Sequence, residues 1–192
     1  MNWAFKQSTE LAQRGSRLLS NTRGVSAIEF ALIVPLAIGL YVSAVELGNA
    51  LTISRRSASV ASSAADLVAQ AKTTSATGLK DVMKAATSIL TPYPDAPMTI
   101  TLTSVLADNN NKGKVVWSCA NKGSGYAPKS NFEVPDGLTQ AGSSVIVAEV
   151  KYAYAPLLNL PKLGSPGAFT LSQKFYARPR RSTEVTKTDS GC

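Results

Sequence analysis

Three sets of residues in this chain have the types and spacing to do chemistry. The first is Gly24 with Glu29, in the stretch Arg23-Gly24-Val25-Ser26-Ala27-Ile28-Glu29-Phe30. Glu29 is a carboxylate just inside a long apolar run. A charge there costs ~2.5–3.5 kcal/mol at the centre of a membrane helix, so it marks a functional position by default. Gly24 has no side chain to obstruct a close approach to its backbone. The second set is Cys119 and Cys192, the two cysteines of the chain. They form a disulfide if this region lies outside the cytoplasm; otherwise they are two unrelated thiols, and their spacing does not decide between these. The third is Glu149 with Lys151, on one face of an expected strand, where an exposed ion pair is the plain reading. With no histidine in the chain, the commonest general base and metal ligand is missing, and so is any histidine-dependent triad. Two distant cysteines do not make a zinc site. Walker A, dinucleotide and zinc-protease motifs are not found. The expectation is a protein that is not an enzyme, with no cofactor and no metal.

These residues need elements to position them. Residues 27–45 are an apolar run of about 19 residues. At ~1.5 Å each they span ~28 Å, against ~30 Å for the hydrocarbon core of a bilayer. Pro35 removes a backbone donor and crowds the carbonyl of Ala31, so a kink is expected there. Gly39, Ser43 and Ala44 are small enough for close helix contact. Before the run, Lys6, Arg14, Arg17 and Arg23 face one acidic residue, Glu10. Positive charge ahead of a span keeps that side in the cytoplasm, so the C-terminal portion is expected to be exported. Arg55 and Arg56 oppose this orientation from about ten residues beyond the run. The net charge of +8 is otherwise dispersed, and no groove-reading motif accompanies it, which argues against nucleic acid.

Beyond the span, residues 46–71 continue with helical character. Val60, Ala64, Leu67, Val68 and Ala71 recur at helical spacing among small residues, which predicts a packing surface on a rod that extends the membrane helix. Residues 73–78 read as a break. Residues 79–90 form a short amphipathic helix with Leu79, Val82, Met83, Ala86 and Leu90 on one face, stopped by the prolines that follow. Strands are expected over 98–107, 114–120, 143–154 and 168–178, with a turn at 108–113, a loop over 121–142 and a connector over 156–166. The tail from Arg178 onward, with Arg180 and Arg181, reads as irregular and solvated. The fold class is α+β: a long N-terminal membrane-spanning helix extending into a small antiparallel sheet head. Three segments follow: a basic leader over 1–24, the transmembrane and extended helix over 25–71, and the head over 72–192.

The basic leader, Gly24, Glu29 and the apolar helix together resemble the class III signal of type IV pilins and pseudopilins. More narrowly, Gly24-Val25-Ser26-Ala27-Ile28-Glu29-Phe30-Ala31-Leu32-Ile33-Val34-Pro35, followed by Glu46-Leu47-Gly48 and Arg55-Arg56, resembles the TadE-like family of the bacterial tight-adherence (Tad/Flp) pilus system. The resemblance covers roughly residues 24–71. It implies cleavage after Gly24 by a prepilin peptidase, which supplies the catalytic carboxylates while this chain is the substrate. Val25 then becomes the amino terminus, where many type IV pilins have Phe. Its amine would pair with Glu29 one helical turn away or across neighbouring subunits, offsetting the burial of charge. The resemblance further implies a minor pilin or pseudopilin of an adhesive pilus, in hetero-oligomers with other Tad/Flp pilins and platform proteins. It would sit in the inner membrane with a periplasmic head, or in the extracellular pilus. Two alternatives remain: an exported binding protein cut by signal peptidase after Val42-Ser43-Ala44, and a bitopic envelope protein.

Overall fold

The computed structural model describes residues 24–108, 112–135, 137–156 and 168–192. The expected leader, the middle of the 108–113 turn and nearly all of the 156–166 connector lie outside the described residues. The chain divides into two compact units between Leu47 and Gly48. Helix α1 (Val25–Ala69) supplies the described residues of the first unit after Gly24, and its residues 48–69 belong to the second.

In the first unit the helix is apolar on every side. Ile28, Phe30, Leu32, Ile33, Leu36, Ile38, Leu40 and Tyr41 are all exposed. Pro35 lies within α1, and the helix continues through it. Ser43 satisfies its own hydroxyl by donating to the carbonyl of Gly39 at 2.8 Å, the usual solution for a hydroxyl in a helix that lacks water. The stretch is long and apolar enough to cross a membrane.

In the second unit the helix changes character. Ile53, Ser57, Val60, Ala61, Ala64, Ala65, Val68 and Ala69 are buried. Their spacing of three and four places them in one stripe. That stripe packs on the sheet of this same chain, in one cluster with Met98, Ile100, Leu102, Ile146, Ala148 and Val150. The packing surface expected along this stretch is therefore covered by the chain's own sheet. Leu67, expected on that face, is 44% exposed; it stands about 100° round the axis from the middle of the stripe. Arg56 is likewise claimed by the second unit. Its guanidinium donates to the carbonyls of Ile89, at 3.0 Å, and Thr91, and lies 5.8 Å from the Tyr93 ring centroid.

A two-residue strand, β1 (Thr73–Thr74), precedes α2 (Ala76–Thr87) and a 3₁₀ turn (Ser88–Leu90). Helix α2 starts three residues before the expected position because Ser75 caps it, its Oγ accepting from the Gly78 N–H at 3.1 Å. Leu79, Met83, Ala86 and Leu90 turn inward as their spacing predicts.

The sheet comprises β2 (Met98–Ala107), β3 (Gly113–Ala120), β4 (Asn131–Phe132), β5 (Ser144–Tyr154) and β6 (Phe169–Ala177), in the order β4-β3-β2-β5-β6 and antiparallel throughout. The short β4 falls where a plain loop was expected. One face carries the cluster packed on α1 and α2. The other holds a smaller cluster of Val105, Val115, Phe132, Val145 and Val147. On β3 a bulge joins the two: pairing steps from Ser104–Trp117 to Val105–Val115, so Val116 is skipped. An extra residue inverts the alternation, and so Val115 reaches the second cluster while Trp117 and Cys119 stay in the first.

The tail is irregular, as expected, apart from one two-residue strand, but it is anchored at several points. Strand β7 (Thr186–Lys187) pairs in parallel with β1, and Val185 is fully buried. Its carbonyl accepts from the Trp117 indole N–H at 2.8 Å. Two of the three arginines thought to be solvated are engaged. Arg178 donates to the carbonyls of Gly137 and Leu138. Arg180 pairs with Asp66, and its backbone N–H donates to the carbonyl of Ala69 at the end of α1.

Candidate functional site

The structure brings Gly24, Val25 and Glu29 together at the start of α1. Gly24 immediately precedes the helix, Val25 is its first residue and Glu29 stands one turn further on, exposed. The first four N–H groups of a helix lack intrahelical acceptors and carry partial positive charge. A carboxylate one turn in is favoured by that field. After Glu29, the next charged residue along the chain is Glu46. Glu29 is thus the one ionisable group in the first four turns of an apolar helix that its own unit leaves exposed.

The two cysteines are joined. Cys119, buried on β3, bonds to Cys192 across 73 residues of sequence, with the Cα atoms 5.3 Å apart. Close by in sequence, Asp189 closes the N-terminus of α2. Its two carboxylate oxygens accept from the Ala76 N–H at 3.1 and 2.9 Å, and Lys187 lies 2.7 Å away. The Lys187 hydrogen bond, followed by that from Ala76, holds the Asp189 carboxyl below the ordinary aspartate value.

Glu149 departs from its expected role. It is 3% exposed, and its partner is Lys174, not Lys151. The register of β5 and β6 sets Glu149 opposite Lys174, and the ammonium lies 2.5 Å from Oε1. The Tyr126 O–H donates to Oε2 at 2.6 Å. Hydrogen bonding to Glu149 raises the Tyr126 pKa, with burial adding to the effect. The same carboxylate raises the Lys174 pKa by accepting its hydrogen bond, against burial, which works the other way. The Phe132 ring stands edge-on to Tyr126 at 5.1 Å and 5.6 Å from the Lys174 ammonium. With an oxygen given to each partner, and each partner holding its proton more tightly, this carboxylate ties strands and loop together. The sequence signal was a lone acid among valines on β5 and a lone lysine midway along β6; only the register joins them. Among the described residues, no group of three or more His, Cys, Asp or Glu side chains gathers to hold a metal.

What the fold defines is an α+β unit continuous in sequence with an apolar helix of membrane-spanning length. Residues 24–66 match the family model described as TadE-like protein. Over that segment the chain is similar to the TadE-like family. No curated protein and no solved structure matches the chain. The matched segment holds both the glycine–glutamate pair and most of the buried stripe of α1.

Proposed function

We propose that this chain is a minor pilin or pseudopilin of a Tad/Flp-type pilus, matured by a prepilin peptidase that hydrolyses the Gly24–Val25 bond. The observation that carries this reading is the position of Glu29, one turn from Val25 on a helix with no covering of its own. Hydrolysis places a carboxylate on Gly24 and a free amine on Val25. The amine is positive and Glu29 is negative, so the two together enter an apolar surrounding at far lower cost than either alone. Paired across subunits, they fix the axial register of one helix against the next. Pro35 sets a local bend in that helix, and the apolar stretch anchors the subunit in the inner membrane. The head faces the periplasm, and in an assembled pilus the exterior. The partners are the peptidase, other Tad/Flp pilins and the assembly platform, in a hetero-oligomer.

The test is the N-terminus of the protein recovered from its native membranes. A chain beginning at Val25 is expected. One beginning at Val45 would mark signal-peptidase cleavage and sink the pilin reading. In cells, Glu29→Ala is expected to be exported and processed but to abolish pilus assembly; normal pili would remove the amine–carboxylate pairing.

A further inference from the structure

We infer that residues 183–192 are a strap that closes over the second unit on oxidation, with Cys119–Cys192 as its latch. Apart from the disulfide, the strap is held mostly by exposed hydrogen bonds; the one deep tie is the Val185 carbonyl, which accepts from the buried Trp117 indole N–H at 2.8 Å. The Thr183 carbonyl accepts from Ser144 at 3.0 Å, and the Thr186 and Thr188 amides donate to Lys72 and Thr74 at 3.2 and 2.9 Å. Asp189 caps Ala76. Thr186, Thr188 and Asp189 are all exposed, and Val185 is the one buried apolar side chain of the segment, beside a Lys187 side chain that is 7% exposed. Two residues of strand pairing do not stand alone, and exposed hydrogen bonds with little apolar burial open locally at low cost. The covalent bond is therefore what keeps the strap down. It is open to exchange from one side, because Cys192 is exposed and Cys119 is fully buried.

Closing requires an oxidant of the disulfide class, either glutathione disulfide or a protein disulfide. The Cys192 thiolate attacks the oxidant, forming a mixed disulfide and expelling one thiolate. Cys119 gives up its proton and attacks the Cys192 sulfur, which expels the second. Two electrons and two protons pass to the oxidant. Opening is the reverse, with a thiol attacking Cys192 and Cys119 leaving. The open form frees the Ala76 N–H of α2, the edge of β1, the Trp117 indole N–H and the Cys119 thiol together. The inference stands independently of the pilin reading.

The test is hydrogen exchange on the full chain in detergent micelles, before and after dithiothreitol, with reduction verified as a mass gain of two protons. The expected result is at least a tenfold loss of protection at Ala76, Thr186 and Thr188, with β2 and β5 unchanged, and recovery on adding glutathione disulfide. Asp189→Ala in the oxidised protein is expected to lose protection at Ala76 while keeping the bond. Unchanged strap amides after reduction would overturn the inference. Loss of protection across β2 and β5 would also overturn it, because the bond would then hold the whole unit rather than a strap.

Discussion

Helix α1 contains two surfaces in sequence. Residues 25–47 carry large apolar side chains that nothing in their own unit covers; residues 48–69 carry alanine, serine and valine, buried to completion along one stripe. Both stretches belong to one continuous helix. The difference lies in side-chain size and in polarity, the second stretch carrying Arg55, Arg56, Asp66 and several serines. Large residues all round a helix suit lipid or neighbouring helices, which meet it from every direction. Small residues on one stripe suit a partner that approaches closely from one side, and here that partner is the sheet of the same chain.

The widest separation of the two halves comes from cutting between them. A fragment of residues 48–192 is expected to fold and remain soluble. One of residues 72–192 is expected to be unfolded by circular dichroism, because it loses Ile53, Val60 and Val68 from the core at ~1.5–3 kcal/mol each, against a typical total stability of ~5–15 kcal/mol. A folded 72–192 fragment would show that the stripe is dispensable. Next, Ala64→Leu should destabilise the head by about 3 kcal/mol through overpacking, measured by urea unfolding with Trp117 fluorescence. Ala37→Leu, on the exposed stretch, should shift it by less than about 0.5 kcal/mol. Equal effects would erase the distinction.

Smaller effects probe the head itself. Lys174→Met leaves Glu149 buried with Tyr126 alone and should cost about 2 kcal/mol. The pH dependence follows the raised Lys174 and Tyr126 values. Their contribution is present below the unfolded values of roughly 10 and is lost as pH rises through the folded ones. Unfolding midpoints should therefore fall above about pH 10, and fall less in the variant. Ser75→Ala removes the cap of α2 and should cost about 1 kcal/mol.

What the sequence made legible was local. Alternation placed β2 at its observed bounds and β5 within a residue, because one strand face is continuously buried. Pairings across the sheet were not legible. Glu149 met Lys174 through the register of two strands, and spacing along β5 pointed to Lys151 instead. The anchoring of the irregular tail was not legible either, because it comes from distant partners: β1, Trp117 and Cys119. The packing stripe was legible from small residues at helical spacing, but not which strands would cover it.

The disulfide has a mechanical consequence. Residues 119–192 form a covalently closed loop. Tension applied between α1 and Cys192 crosses from one sulfur to the other, and the chain inside the loop bears none of it. Strands β4, β5 and β6 lie wholly within that shielded segment, so the chain that can be drawn out under load is limited to what precedes Cys119.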